Sequence, residues 1–104
     1  MILATVKSKN GILIRLTDER WNHIFLYHKE FKSGDYKKIC LVIKAPDVIF
    51  GGNNKELLAA KRHRKSRWRV VVYREDKTDG FIITAYLTSD TTWLFKRKII
   101  WSKK

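Results

Sequence analysis

The chain has 104 residues, with 23 Lys and Arg against 10 Asp and Glu, a formal net charge of +13 and a pI near 10.1. That length holds one hydrophobic core and not two, so a single domain over 1–104 is expected. The 44% hydrophobic and 12% aromatic content excludes a disordered basic tail, which lacks core formers. A folded body with this charge favours a polyanionic partner.

No apolar run approaches the roughly 20 residues of a membrane span, so no membrane partner is expected. The start shows no charged leader followed by an apolar segment, and the expected place is the cytoplasm. Cys40 is the only cysteine. It falls on the apolar face of an expected helix, where a thiol serves as core filler.

In chain order, Leu3 to Val6 and Ile12 to Leu16 read as strands around Ser8-Lys9-Asn10-Gly11, a hairpin turn signal. Thr17 can cap a following helix, Asp18 and Glu19 suit its positive end, and Trp21, Ile24, Phe25 and His28 recur at helical spacing to about Tyr27 or Lys29. Ser33-Gly34-Asp35 can cap a second helix with Tyr36, Ile39, Cys40 and Ile43 on one stripe, which Pro46 ends. Strands are then expected at Asp47 to Phe50, Glu56 to about His63, Trp68 to Arg74 and Phe81 to Thr88. The predicted fold is α+β: an N-terminal β-hairpin, two α-helices, then an antiparallel sheet of about four strands.

Period-two alternation puts Ile82, Thr84, Tyr86 and Thr88 on one face of the last strand, and Arg67, Arg69, Val71 and Tyr73 on one face of its neighbour. An Arg/Tyr face beside a hydroxyl face is therefore expected; its plain structural reading is a solvated sheet surface. The segment Lys61 to Arg69 holds Lys61, Arg62, Arg64, Lys65, Arg67 and Arg69 with Trp68 among them. Guanidinium groups grip phosphates at two points, so phosphate binding is the favoured reading. A second cluster, Lys96-Arg97-Lys98 with Lys103-Lys104, lies among Trp93, Phe95 and Trp101, where RNA contact and a core-closing terminus are equal alternatives.

Of the three histidines, His23 and His28 lie on or beside the first helix and His63 in the basic strand. Imidazole suits acid–base work near neutral pH. Structurally, His28 can simply close the helix and His63 can be one more cation. His23 and His28 are five apart, not the four that sets two ligands on one helical face, and no cysteine pair assists them. No metal site and no cofactor are expected.

The stretch Leu16 to Glu30, LTDERWNHIFLYHKE, resembles the T-x-E-R-W-x-H-I-x-x-x-H-P-E opening of small phage and prokaryotic proteins in the barnase, EndoU, colicin and RelE-like nuclease superfamily. Ala45-Pro46-Asp47-Val48-Ile49 is similar to their Pro-Asp segment, and Val70 to Thr88 to their closing V-V-V-Y and D-G-F-I-I-T-A-Y-L-T. The one departure is Lys29, which stands where proline usually follows the second histidine.

The resemblance implies two helices on an antiparallel sheet and metal-independent cleavage of RNA, by driving the ribose 2′-hydroxyl onto the adjacent phosphate. It maps acid–base roles onto His23 and His28, with His23 placed first because of Lys29. It maps phosphate contacts onto Lys61, Arg62 or Arg69, and gives Thr84, Tyr86 and Thr88 the remainder of the site. RNA is the implied partner. The alternatives are a non-catalytic RNA-binding module, as such or within a nucleoprotein complex, and a toxin-like protein neutralised by an acidic antitoxin or inhibitor.

Overall fold

A computed structural model describes residues 1–103; Lys104, part of the second basic cluster, lies outside the described residues. Ten elements follow one another: β1 (Ile2–Lys7), β2 (Leu13–Thr17), α1 (Asp18–Tyr27), α2 (Tyr36–Lys44), β3 (Val48–Gly51), β4 (Leu57–Arg64), β5 (Arg67–Glu75), β6 (Asp79–Thr88), α3 (Thr91–Phe95) and β7 (Ile99–Ser102). All seven strands form one sheet in the order β1-β2-β6-β5-β4-β3-β7.

This overturns the expected architecture. The N-terminal hairpin is not separate from the later strands, because β2 pairs in parallel with β6 from Leu13↔Asp79 to Arg15↔Phe81. The sheet is therefore mixed and seven-stranded, not an antiparallel sheet of four, and α3 and β7 are additional elements. Gly80 permits the parallel join: a Cβ there would lie 2.5 Å from both the Arg74 carbonyl oxygen and Ile14 Cδ1. Arg15 binds Asp79, and Ser8 and Asn10 both donate to the Glu75 carboxylate, fastening the first hairpin to the β5–β6 turn.

The helices lie where their local chemistry puts them. The Thr17 hydroxyl accepts the Arg20 N–H at 3.1 Å, and Asp18 and Glu19 sit in the first turn of α1. Asp35 begins α2 without a side-chain cap bond; its carboxylate instead accepts the Lys32 N–H at 2.9 Å and steadies the preceding loop.

One sheet face packs on α1 and α2 through Ile14, Leu16, Ile24, Ile39, Ile43, Val71, Tyr73, Ile82 and Ala85. The sheet curls around α2, so that its far edges approach: Lys9 Nζ of the first turn lies 5.0 Å from the ring of Trp101 in β7. A smaller core of Val48, Phe50, Leu58, Ala60, Val70 and Leu94 fills the opposite, outer face beneath α3. Fully burying a large aliphatic or aromatic side chain contributes about 1.5–3 kcal/mol, so both cores matter.

A bulge in β6 decides which residues face outward. Val72 pairs with Thr84 and Tyr73 with Ile82, leaving Ile83 as an extra residue. Ile82 therefore joins Ala85 on the helix-packed face. Thr84, Tyr86 and Thr88 lie opposite Val72, Val70 and Trp68 on the outer face.

Candidate active site and nucleic-acid interface

The expected face of Arg beside Thr and Tyr does not form. Arg69 pairs with Leu87 and with Lys61, on the face that holds Val71 and Tyr73, whereas Thr84, Tyr86 and Thr88 sit on the other side of the sheet. Lys61 Nζ donates to the Ala45 carbonyl at 2.9 Å and so closes the end of α2. Arg69 is half-buried near Asp35, and its Nε has no hydrogen-bond partner among the described residues. Burial lowers the Arg69 pKa and Asp35 raises it, which leaves a partly desolvated cation between β5 and α2.

The two histidines of the first helix also part company. His23 is exposed, lies tilted against Tyr27 with ring centroids 4.8 Å apart, and borders a shallow depression with Thr17, Glu19 and Arg20. Thr84, Tyr86 and Thr88 are not among the residues that line that depression. His28 ends α1, where its backbone N–H bonds the Ile24 carbonyl at 2.9 Å. Its ring lies 6.3 Å from that of Tyr86 and 6.4 Å from that of buried Phe31. The position that closes the helix therefore also delivers an imidazole to the hydroxyl-bearing sheet face.

The delivery works because the edge of β6 away from β5 is paired only over its short join to β2, among the described residues. There the loop after α1 wraps the open edge, and Glu30 Oε2 accepts the Leu87 N–H at 3.2 Å. The same oxygen is 3.7 Å from His28 Nδ1, with the two side chains 30% and 29% exposed. The sequence expectation assigns Glu30 no role, although the closing Glu of the H-P-E motif falls on it, two residues after His28.

Tyr86 extends the cluster. Its ring is 6.2 Å from that of Trp93 in α3, and the Arg97 guanidinium lies 5.3 Å from the Trp93 ring centre. Arg97 Nε is buried without a hydrogen-bond partner among the described residues. Burial pushes the Tyr86 phenol above its ordinary pKa and the Arg97 charge pulls it partly back, so at neutral pH Tyr86 is a proton-bearing donor. Thr88 accepts the Asp90 N–H through its hydroxyl at 3.0 Å, and Asp90 in turn caps α3 through the Thr92 N–H. Thr88 therefore braces the helix that carries Trp93, while Thr84 lies one outward position before Tyr86 on β6.

The outer face thus brings together an imidazole–carboxylate pair, a phenol donor and a half-buried guanidinium. Chemically, such a set can hold an anion at Arg97 and Tyr86 and move a proton at His28, steadied by Glu30. Acid–base pairs often stand slightly long without substrate and tighten with it.

The basic hairpin is a second, separate surface. Arg62, His63, Arg64, Lys65, Ser66 and Arg67 are all exposed at the β4–β5 tip. Arg62 is anchored: its N–H bonds Asp47 Oδ2 and its Nε bonds the Lys65 carbonyl, both at 2.9 Å. Arg64 and Arg67 make no ion pair among the described residues. The cost of this crowding shows at His63, whose pKa is lowered by burial and then by Arg69, Arg64, Arg67 and Lys38.

Comparison with protein-family models, with curated proteins and with solved structures finds no match for this chain. No helix among the described residues is long and apolar enough to cross a membrane.

Proposed function

We propose that the protein binds RNA through the β4–β5 hairpin and the outer sheet face, and cleaves it there without a metal ion. The superfamily resemblance of its motifs supplies the reaction class. The observation that carries the reading is the position of His28, 3.7 Å from Glu30 and in ring contact with Tyr86, on the face shared with Thr84, Thr88 and Arg97.

In this reading His28 takes the proton of the ribose 2′-hydroxyl as that oxygen attacks the neighbouring phosphorus. The bond to the 5′-oxygen of the next nucleotide breaks, leaving a 2′,3′-cyclic phosphate, and the departing oxygen takes up a proton from water. Arg97 and the Tyr86 hydroxyl offset the charge that builds on the non-bridging oxygens. Glu30, 3.7 Å from Nδ1, holds the imidazole in place. The roles of the two histidines are thereby reversed from the sequence expectation, with His28 ahead of His23. The cytoplasm is the proposed place of action.

The test is incubation of the purified protein with labelled RNA in EDTA. Fragments ending in cyclic phosphate are expected, abolished by His28→Ala and retained by His23→Ala. Intact RNA bound in a salt-sensitive complex would leave the non-catalytic binding module, which the anchored hairpin cations suit. Cleavage lost with His23→Ala and kept with His28→Ala would refute the assignment of the site.

A further inference from the structure

The outer face continues past Arg97 into an open cleft of about 670 Å³ between the β3–β4 loop and the segment joining α3 to β7. That volume lies within the roughly 300–1,000 Å³ range of small-molecule sites. Lys55, Lys96, Arg97 and Lys98 line it, and none of the four makes an ion pair among the described residues. Leu57 and Ile100 give it an apolar wall.

The one carboxylate that lines the cleft among the described residues, Glu56, is committed to the loop. Its Oε1 accepts the Asn54 N–H at 2.8 Å, and its backbone carbonyl accepts the Gly52 N–H at 2.8 Å. The Glu56 side chain packs so closely on Gly52 that a Cβ there would lie 2.3 Å from its Cδ. Lys55, exposed and with φ of 70°, stands beside this folded carboxylate and completes the rim. The cleft therefore offers a net positive rim and an apolar side wall, complementary to a phosphate carrying a flat, largely apolar ring.

We infer that this cleft is a nucleotide-binding subsite, in which Lys55, Lys96 and Lys98 hold a phosphate and the Leu57 and Ile100 wall receives the base. The inference rests on the RNA reading above, since Arg97 belongs to both places: a strand seated at His28 and Tyr86 has its neighbouring nucleotide within the cleft. Only an unpaired strand can present one nucleotide to the acid–base pair and another to the cleft wall, so the preferred substrate is single-stranded.

The experiment uses the full chain, a 2′-fluoro oligonucleotide that cannot be cleaved, and a nucleoside 5′-monophosphate. Backbone amide shifts at Gly51, Gly52 and Asn53 report on the cleft, and fluorescence anisotropy gives affinity. The variant is Lys55→Asn with Lys98→Gln, two exposed positions, with asparagine suited to the left-handed backbone at residue 55; its melting curve checks the fold. Amide shifts with the wild type and a tenfold or greater loss of affinity in the variant are expected. The salt slope should become shallower by up to about 0.7, the share of the one single-strand phosphate that loses two of its lysines.

Shifts with the oligonucleotide alone identify a unit of a strand as the ligand, and shifts with the monophosphate as well identify free nucleotides too. Binding of the monophosphate in the cleft without any oligonucleotide binding keeps the cleft and sinks the RNA reading. Oligonucleotide binding with silent cleft amides, or with affinity and slope unchanged in the variant, overturns the inference and leaves the RNA reading standing.

Discussion

The hairpin tip and the outer sheet face are both basic, and they differ in what surrounds the charge. At the tip, Arg64, Lys65 and Arg67 are exposed and make no ion pair among the described residues. On the outer face, Arg97 is half-buried against Trp93 and its charge acts on Tyr86, while His28 and Glu30 approach from the open edge of β6. Charge density alone suits backbone attraction, which carries no chemistry. Charge held beside a proton carrier in a partly dry setting suits a reaction.

That contrast is open to direct attack. His28→Ala is expected to reduce cleavage by about 10²–10⁴-fold, the usual worth of a general acid or base, while RNA affinity stays within twofold. Replacing Arg62, Arg64 and Arg67 together by alanine is expected to do the reverse. Affinity falls across all sequences, the salt slope becomes shallower by about 0.7 for each single-strand phosphate deprived of its arginine, and turnover at saturating RNA is retained. Equal loss of both properties in both variants would erase the distinction between the two regions.

Gly80→Ala probes the join that leaves the β6 edge free for Glu30. The added methyl meets Ile14 and the Arg74 carbonyl, and a loss of about 1–3 kcal/mol in denaturant unfolding is expected, with cleavage impaired more than binding. Thr17→Ala removes the hydroxyl cap of the helix that ends at His28. It should cost about 1 kcal/mol and leave both surfaces working once the protein is folded.

The smallest expected effect is at His63. Its pKa lies below the ordinary imidazole value in the folded chain, so protonation favours the unfolded state. The folded chain thus loses stability as pH falls through the ordinary imidazole range toward the lowered value. A bound phosphate reverses the local repulsion, so RNA should raise the His63 midpoint in an NMR titration. A midpoint unmoved by RNA would remove the hairpin tip from the interface.

Much of the local structure was legible in the sequence, and the assembly was not. The caps and stripes that mark α1 and α2 act over one or two turns, and turn residues bracket the strands, so these patterns read directly. The parallel join of β2 to β6 depends on Gly80 accepting Ile14 across the sheet, which no local pattern announces. The bulge at Ile83 likewise carries no signature, and it moved Thr84, Tyr86 and Thr88 away from Arg69. Five-residue α3 and four-residue β7 are too short for periodicity to register. The site was half legible: His28, Tyr86, Thr84, Thr88 and Arg97 are marked by residue type, whereas the role of Glu30 emerges only from the open edge it covers.

The three histidines report on three different surfaces, which allows one measurement to decide the central claim. With histidine rings labelled for NMR, an uncleavable 2′-fluoro RNA is added to the intact protein at low salt. The expected result is that the ring signals of His28 and His63 shift together at saturation while those of His23 stay in place. A shift at His23 with His28 unmoved would contradict the assignment of the outer sheet face as the place where RNA meets its acid–base pair.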